Sequence, residues 1–320
     1  MDRVIADLAS KSEEIHFLTA DISPSILRRI AEASNANLSG IVRAYFWIND
    51  STKENVENLE RVRKCANIAR IRFIPLLHTK LIIFKNAGET KSILMSGNLT
   101  RRSMERELNH FVVITNPNLN KKLVEDYELL WSKSTEGLLE EPPIVMIKQL
   151  DKANMNQKKV KELARKYLDE ERSLKEVARI LNLSIPFYQL LFLSLISEEL
   201  YMFMYLIELE AAKKLLVPPA LNGVEIKIIA STRVSASLED KLNGKIRELG
   251  GEVIKVKRLP KIHTKTIIAK TKRNDLVCYI GTASITRSSL FTEINHGILV
   301  TNEKMISRLL KDFRELFYSS

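Results

Sequence analysis

Cysteine is nearly absent. Cys65 and Cys278 are the only two in 320 residues, too few for a disulfide framework or a cysteine-based zinc site. No stretch has the length and continuous apolar character of a membrane span; the nearest, SIPFYQLLFLSLISEELYMFMYLIELE, is interrupted by Glu198 and Glu199. The first residues, MDRVIADLASKSEEIHF, lack the apolar centre of a signal peptide. These absences lead us to expect a soluble, cytoplasmic protein with no membrane partner. Glutamine is scarce too: Gln149, Gln157 and Gln189 stand among many Lys, Glu and Ile, a balance of the thermophilic kind.

What is present is a globular composition, 45% hydrophobic and 28% charged, which excludes a disordered chain. The length suits two domains or one large duplicated one. The net charge of +11 favours polyanionic partners, nucleic acid or an acidic membrane surface, without choosing between them.

An internal repeat is the most informative feature. PLLHTKLIIFK (75–85) returns as PKIHTKTIIAK (260–270), and MSGNLTRRSMERELNHFVVITN (95–116) returns as GTASITRSSLFTEINHGILVTN (281–302). Thr100/Thr286, Arg101/Arg287, Ser103/Ser289, Glu107/Glu293, Asn109/Asn295 and His110/His296 pair within this block. Upstream, 38–47 and 221–230 align through Gly40 and Gly223.

Each half reads as α/β. IHFLTADI, IVRAYFWI, ARIRFIPLL, KLIIF, SILMSG and HFVVIT read as strands; SPSILRRIAEAS, with Ser23 as N-cap and Pro24 next, TKENVENLERVRKCA and LNKKLVEDYELLWSKS read as helices. Runs such as LIIF predict strands buried on both faces, so helices should cover the sheet. The expected boundaries are 1–140 for the first half, 141–194 for a helical insertion and 195–320 for the second half. The insertion opens at the turn-rich EEPPIVMI. It then has the pattern of a helix-turn-helix, with a capping box from Ser173 to Glu176, Ala178 at a close-packing position, Asn182 where a left-handed residue is needed and Ser184 capping the next helix. The following helix carries no Lys or Arg, which favours packing or dimerisation over DNA reading.

Hydrolysing a phosphodiester without a metal needs a nucleophile, cations for the equatorial oxygens and an acid for the leaving oxygen. Imidazole serves as the first and the last. His78–Lys80 and His263–Lys265 put a base and a cation on one side of an extended chain, and halves folded face to face would set one histidine on each side of a single phosphorus. Four of the five histidines (His78, His110, His263, His296) occupy repeat-equivalent positions.

This pattern, His-x-Lys followed by a Gly-Ser-x-Asn-like turn and a glutamate, resembles the phospholipase D superfamily signature in both halves, over 75–116 and 260–302. Ser96-Gly97-Asn98 matches the turn, with Met95 where glycine is usual; Gly281-Thr282-Ala283-Ser284 keeps the glycine but has Thr for Ser and Ser for Asn. Lys85 and Lys270 replace the family's aspartate. The resemblance implies two phospholipase D-like α/β/α halves related by pseudo-twofold symmetry. It also implies a phosphohistidine intermediate, with His78 as nucleophile and His263 as acid/base. Lys80, Lys265 and Asn98 would bind phosphoryl oxygens, with Ser284 as a shorter substitute for the second Asn. Ser96 and Thr282 would hydrogen-bond near the same oxygens. Glu107 and Glu293 resemble the carboxylates that orient each imidazole. His110 and His296 are expected to be structural. No cofactor and no metal are expected.

Arg101, Arg102 and Arg106, with Arg287 in the second copy, suit a substrate with flanking phosphates, although they could instead pair with Glu105 or Glu107. The leading expectation is a metal-independent nuclease acting on DNA or RNA as a monomer or homodimer. The alternatives are phospholipid hydrolysis or transphosphatidylation, and a nucleic-acid-binding protein that has lost activity.

Overall fold

The repeat in sequence is a repeat of strand order. In the computed structural model, which describes residues 2–43, 64–135, 155–182 and 184–319, the chain divides into two compact units, Met1–Lys148 and Gln149–Ser320. The first holds β1 (Glu14–Thr19), β2 (Asn37–Arg43), β3 (Arg70–Ile74), β4 (Leu81–Asn86), β5 (Glu89–Met95) and β6 (Phe111–Ile114) in one sheet of order β3-β2-β1-β4-β5-β6. The second holds β7 (Ser197–Met204), β8 (Glu225–Ser231), β9 (Lys255–Leu259), β10 (Lys265–Thr271), β11 (Leu276–Gly281) and β12 (Gly297–Val300) in the same order, β9-β8-β7-β10-β11-β12. In each, three strands run parallel and the rest pair antiparallel. This is the mixed α/β duplication expected.

Each unit has helices on both faces of its sheet. In the first, α1 (Asp2–Ala9) and α2 (Pro24–Glu32) bury Ile5, Ile26, Leu27 and Ile30 with Ile15 and Phe17 of β1. α3 (Arg101–Glu105) is a single turn, and α4 (Pro117–Lys133) lies against β3, β4 and β5. Leu81, Ile82, Ile83 and Phe84 are each at most 3% exposed, as a strand sandwiched between helix layers requires. Asn116 caps α4 by accepting the Leu119 amide at 3.0 Å.

The middle of the chain forms α5 (Gln157–Leu168), α6 (Leu174–Leu181) and α7 (Pro186–Ile196), all built into the core of the second unit. There they join α8 (Leu209–Leu221), α9 (Leu238–Glu248), a one-turn α10 (Arg287–Phe291) and α11 (Glu303–Tyr318). Asn302 caps α11 by accepting the Met305 amide at 3.0 Å, the counterpart of Asn116. The capping box of Ser173 and Glu176 is present.

Three local expectations are corrected. Asn182 is extended (φ −59°, ψ 132°) rather than left-handed, and its Oδ1 accepts the Leu299 amide at 2.6 Å. Ser184 does not cap α7, whose N-cap is Ile185. Gly40 and Gly223 are not equivalent. Gly40 lies within β2 opposite Phe17, while Gly223 has φ +78° in the turn before β8. By register Gly40 corresponds to Ile228. A Cβ at Gly40 would sit 2.0 Å from the Phe17 ring, so the glycine answers a bulky neighbour rather than a turn. DNA reading by α7 also falls away: Phe187, Gln189, Leu190, Phe192, Leu193 and Ile196 are all buried, which leaves this helix no face for base edges. Most of the expected helix at 52–66, the end of the IVRAYFWI strand and EEPPIVMI lie outside the described residues.

Candidate active site

Both His-x-Lys segments stand at corresponding places, on the extended chain that leads from a left-handed turn into β4 or β10. Leu76 (φ 59°) and Lys261 (φ 62°) each precede the histidine by two residues. Neither is Gly or Asn, the residues that adopt this region readily, so the tertiary structure must hold the strained turn. His78 is half-buried and His263 is 9% exposed.

Both lysines are fully buried, at 0% exposure. Their ammonium groups turn back on their own motif. Lys80 Nζ donates to the His78 carbonyl at 2.5 Å and Lys265 Nζ to the His263 carbonyl at 2.7 Å. Lys265 Nζ also lies 3.4 Å from His263 Nδ1. Burying a lysine is costly unless its charge is hydrogen-bonded, so each motif is a stiff unit of base and cation.

The second part of the repeat is a network, closed the same way in both units. Ser96 Oγ donates to Asn109 Oδ1 (3.0 Å) and accepts the His110 amide (3.1 Å); Thr282 Oγ1 donates to Asn295 Oδ1 (2.7 Å) and accepts the His296 amide (3.1 Å). The asparagines reach on to the Ser103 and Ser289 carbonyls at 2.7 and 2.9 Å. Thr100 and Thr286 cap the one-turn helices through the Ser103 and Ser289 amides. Ser103 and Ser289 hydroxyls then donate to Glu107 and Glu293 at 3.0 and 2.7 Å. The repeated Ser/Thr, Asn and Glu positions thus brace one turn against its neighbouring strand.

This placement changes what several residues are available to do. The Ser96 and Thr282 hydroxyls, expected beside phosphoryl oxygens, are wholly buried and committed to the turn. Arg101 and Arg102, expected to rim a phosphate, form ion pairs with Glu105 and Glu107, each at 2.8 Å. Arg287 stays exposed. Asn98 is half-buried, and its Oδ1 has no hydrogen-bond partner. Ser284 is buried at the matching turn. Burial lowers the His110 pKa to about 4, so this imidazole is neutral at pH 7. The fifth histidine, His16, bonds Ser39 at 2.7 Å and stacks on Tyr127.

The lysines in place of the family's aspartate have a structural answer. Lys85 faces Glu14 across β4–β1 and Lys270 faces Glu199 across β10–β7; the ion pairs measure 3.6 and 3.0 Å. Met95 has one as well. At its equivalent, Gly281, a Cβ would lie 2.1 Å from the Tyr279 hydroxyl oxygen. The residue corresponding to Tyr279 in the first unit is Ile93, so the smaller neighbour makes room for a methionine.

Two residues at the second motif escaped sequence reasoning. Tyr205, immediately after β7, has its ring 4.3 Å from that of His263 and 4.9 Å from Lys265 Nζ. Arg233 lies over the same ring at 5.4 Å. The one available signal was negative: by register the counterpart of Tyr205 is Ala20, a break in the repeat.

The fold and the paired motifs define a duplicated α/β protein of the phospholipase D-like class. Residues 192–317 match the family described as "Cardiolipin synthase, PLD-like domain". Among solved structures, polyphosphate kinase from Porphyromonas gingivalis aligns with a TM-score of 0.60 at 13% identity, over 99% of this chain and 48% of that one. The chain therefore spans about half the length of that kinase. A mutant of yeast tyrosyl-DNA phosphodiesterase aligns with a TM-score of 0.50 at 12% identity, over 92% of this chain and 85% of that one. No curated protein matches in sequence. The family match lies within the second unit; for the chain as a whole the likeness is one of fold. Among the described residues, no helix is long and apolar enough to cross a membrane, and no group of three or more His, Cys, Asp or Glu is arranged to hold a metal ion.

Proposed function

We propose that the chain is a phosphodiesterase of the nuclease kind, hydrolysing nucleic-acid phosphodiesters at one site to which both halves contribute. The observation that carries this reading is the recurrence of one stiff device, a histidine whose own carbonyl holds the buried lysine two residues on, at the same strand start in two sheets of identical order. His78 attacks phosphorus, the P–O bond to the leaving oxygen breaks, and that oxygen takes the proton of His263. Water then gives a proton to His263 and its oxygen to phosphorus, which releases His78 and a phosphate monoester. Lys80, Lys265 and Asn98, with Ser284 in the second copy, hold the equatorial oxygens through the charge change. Glu107 and Glu293 orient the imidazoles. Because Ser96 and Thr282 are committed to the turns, their part is to position Asn98 and Ser284.

The charge of +11 favours a polyanion over a lipid bearing one phosphodiester. The names of the two solved structures above, one a tyrosyl-DNA phosphodiesterase and the other a polyphosphate kinase, point the same way. The test is cleavage of labelled single- and double-stranded DNA and RNA in EDTA, beside His78→Ala and His263→Ala. Each substitution is expected to lower turnover about a thousandfold or more, since the two groups act as one unit. With His263→Ala, a phosphohistidine at residue 78 should accumulate. Cleavage that survives both substitutions would sink the mechanism. Salt-sensitive binding without turnover would favour the inactive binding protein, and turnover of phospholipid alone would favour the lipid enzyme.

A further inference from the structure

The two motifs differ most in what lies beside the histidine. In the second unit Tyr205 leans on His263 and Lys265, and its ring also carries the guanidinium of Arg233, from the loop after β8. Arg233 is exposed. Among the described residues its guanidinium has no hydrogen bond and no carboxylate partner; only its backbone amide is engaged, by the Ser231 hydroxyl at 3.3 Å. That separates it from Arg101 and Arg102, whose charges are already matched. The loop bearing Arg233 is pinned from the edge strand, where Arg258 Nη1 donates to the Val234 carbonyl at 3.4 Å.

We infer that Arg233, seated on the Tyr205 ring, is a subsite for a second phosphate of the substrate strand, adjacent to the phosphate held at His263 and Lys265. The inference rests on the nuclease reading above. A guanidinium lying on an aromatic face is oriented in advance, yet keeps its N–H fork free for phosphate oxygens. One ring lies 4.3 Å from the His263 ring and 5.4 Å from the Arg233 guanidinium, so both groups are within reach of a single extended strand. A single-phosphate diester cannot reach both; a strand can. The first unit has Ala20 in place of the tyrosine, so the subsite is one-sided and gives the strand a direction across the site.

The experiment compares a short single-stranded oligonucleotide with bis(p-nitrophenyl) phosphate, using the full chain and its Arg233→Ala and Tyr205→Leu variants. Arg233→Ala should raise KM for the strand, so that the preference for strand over diester in kcat/KM falls about tenfold. The slope of log KM against log salt should fall by about one. Tyr205→Leu should lose the same preference, and the double variant little more. The slope can equally be read from binding of a fluorescent strand, so a slow enzyme remains testable. An unchanged preference and slope in Arg233→Ala, or equal losses on both substrates, would overturn the subsite while leaving the nuclease standing. A wild-type chain that hydrolyses the diester but neither binds nor cuts any strand would overturn both.

Discussion

The first unit fills the space around its β5–β6 pair with Ile93, Met95 and Phe111; at the matching β11–β12 pair the second has Tyr279, Gly281 and Gly297. The pairs Met95–Phe111 and Gly281–Gly297 occupy the same rung of the two ladders. In the second unit the Tyr279 ring lies over both glycines, and a Cβ on Gly297 would meet it at 2.3 Å. Tyr279 takes up space that side chains at the two glycine positions would need. Helices diverge on the same principle. In the second unit α7 packs against α8 and α10, with Phe187 on Phe291 at 4.8 Å. In the first, among the described residues, the short α1 packs against α2. Beside them lies a cavity of about 250 Å³ lined by Ile5, Ala6, Ile26, Ile30 and Met104, with Arg29 and Glu32. The turn networks, by contrast, match bond for bond. Duplicated halves are free to exchange volume as long as the partners change together, and not free to lose a buried hydrogen bond.

Transplanting one half's residue into the other breaks the comparison most sharply. Gly281→Met alone should cost more than about 3 kcal/mol by overpacking under Tyr279. The double change Tyr279→Ile with Gly281→Met should recover most of it, read by urea unfolding, with Gly297 kept because a Cβ there would also meet Gln189 Oε1 at 2.5 Å. An unrescued double variant would mean the halves are not interchangeable there.

His110 of the first unit gives the next effect. His110 has its folded pKa lowered from 6.5 to about 4 by burial. The unfolded chain therefore binds the proton first, and stability present above about pH 6.5 is lost as pH falls towards 4. The loss is at most about 3 kcal/mol. In His110→Asn the stability-against-pH curve should flatten across that window; a curve parallel to wild type would exclude His110 as the source.

Smaller still are the matched caps. Thr100→Ala and Thr286→Ala should each cost about 1 kcal/mol, equally in the two units, and a clear inequality in thermal shift would show that the networks differ in strength. Least of all, exchanging Glu14 and Lys85 as Glu14→Lys with Lys85→Glu should change stability by less than about 1 kcal/mol, since the pair is partly exposed. Either single change should cost more than the exchange.

The strands, the capping box and the duplication were legible because each is written in local spacing: period-two runs, Ser173 three residues before Glu176, and His-x-Lys recurring in register. The errors arose where a residue has both a local and a distant explanation. Gly40 looked like the counterpart of Gly223 and instead answers Phe17. Asn182 looked like a left-handed corner and reaches Leu299.

The sequence by itself determined the order of elements, the two halves and the four residues of the paired motif, because periodicity, caps and internal repetition act over a few residues at a time. Only the tertiary structure decided that Lys80 and Lys265 lie buried against their own histidines' carbonyls, that Ser96 and Thr282 serve the turns, and that Tyr205 joins Arg233 to His263. Those outcomes depend on which atoms meet once strands far apart in the chain lie side by side, and no local pattern encodes such meetings.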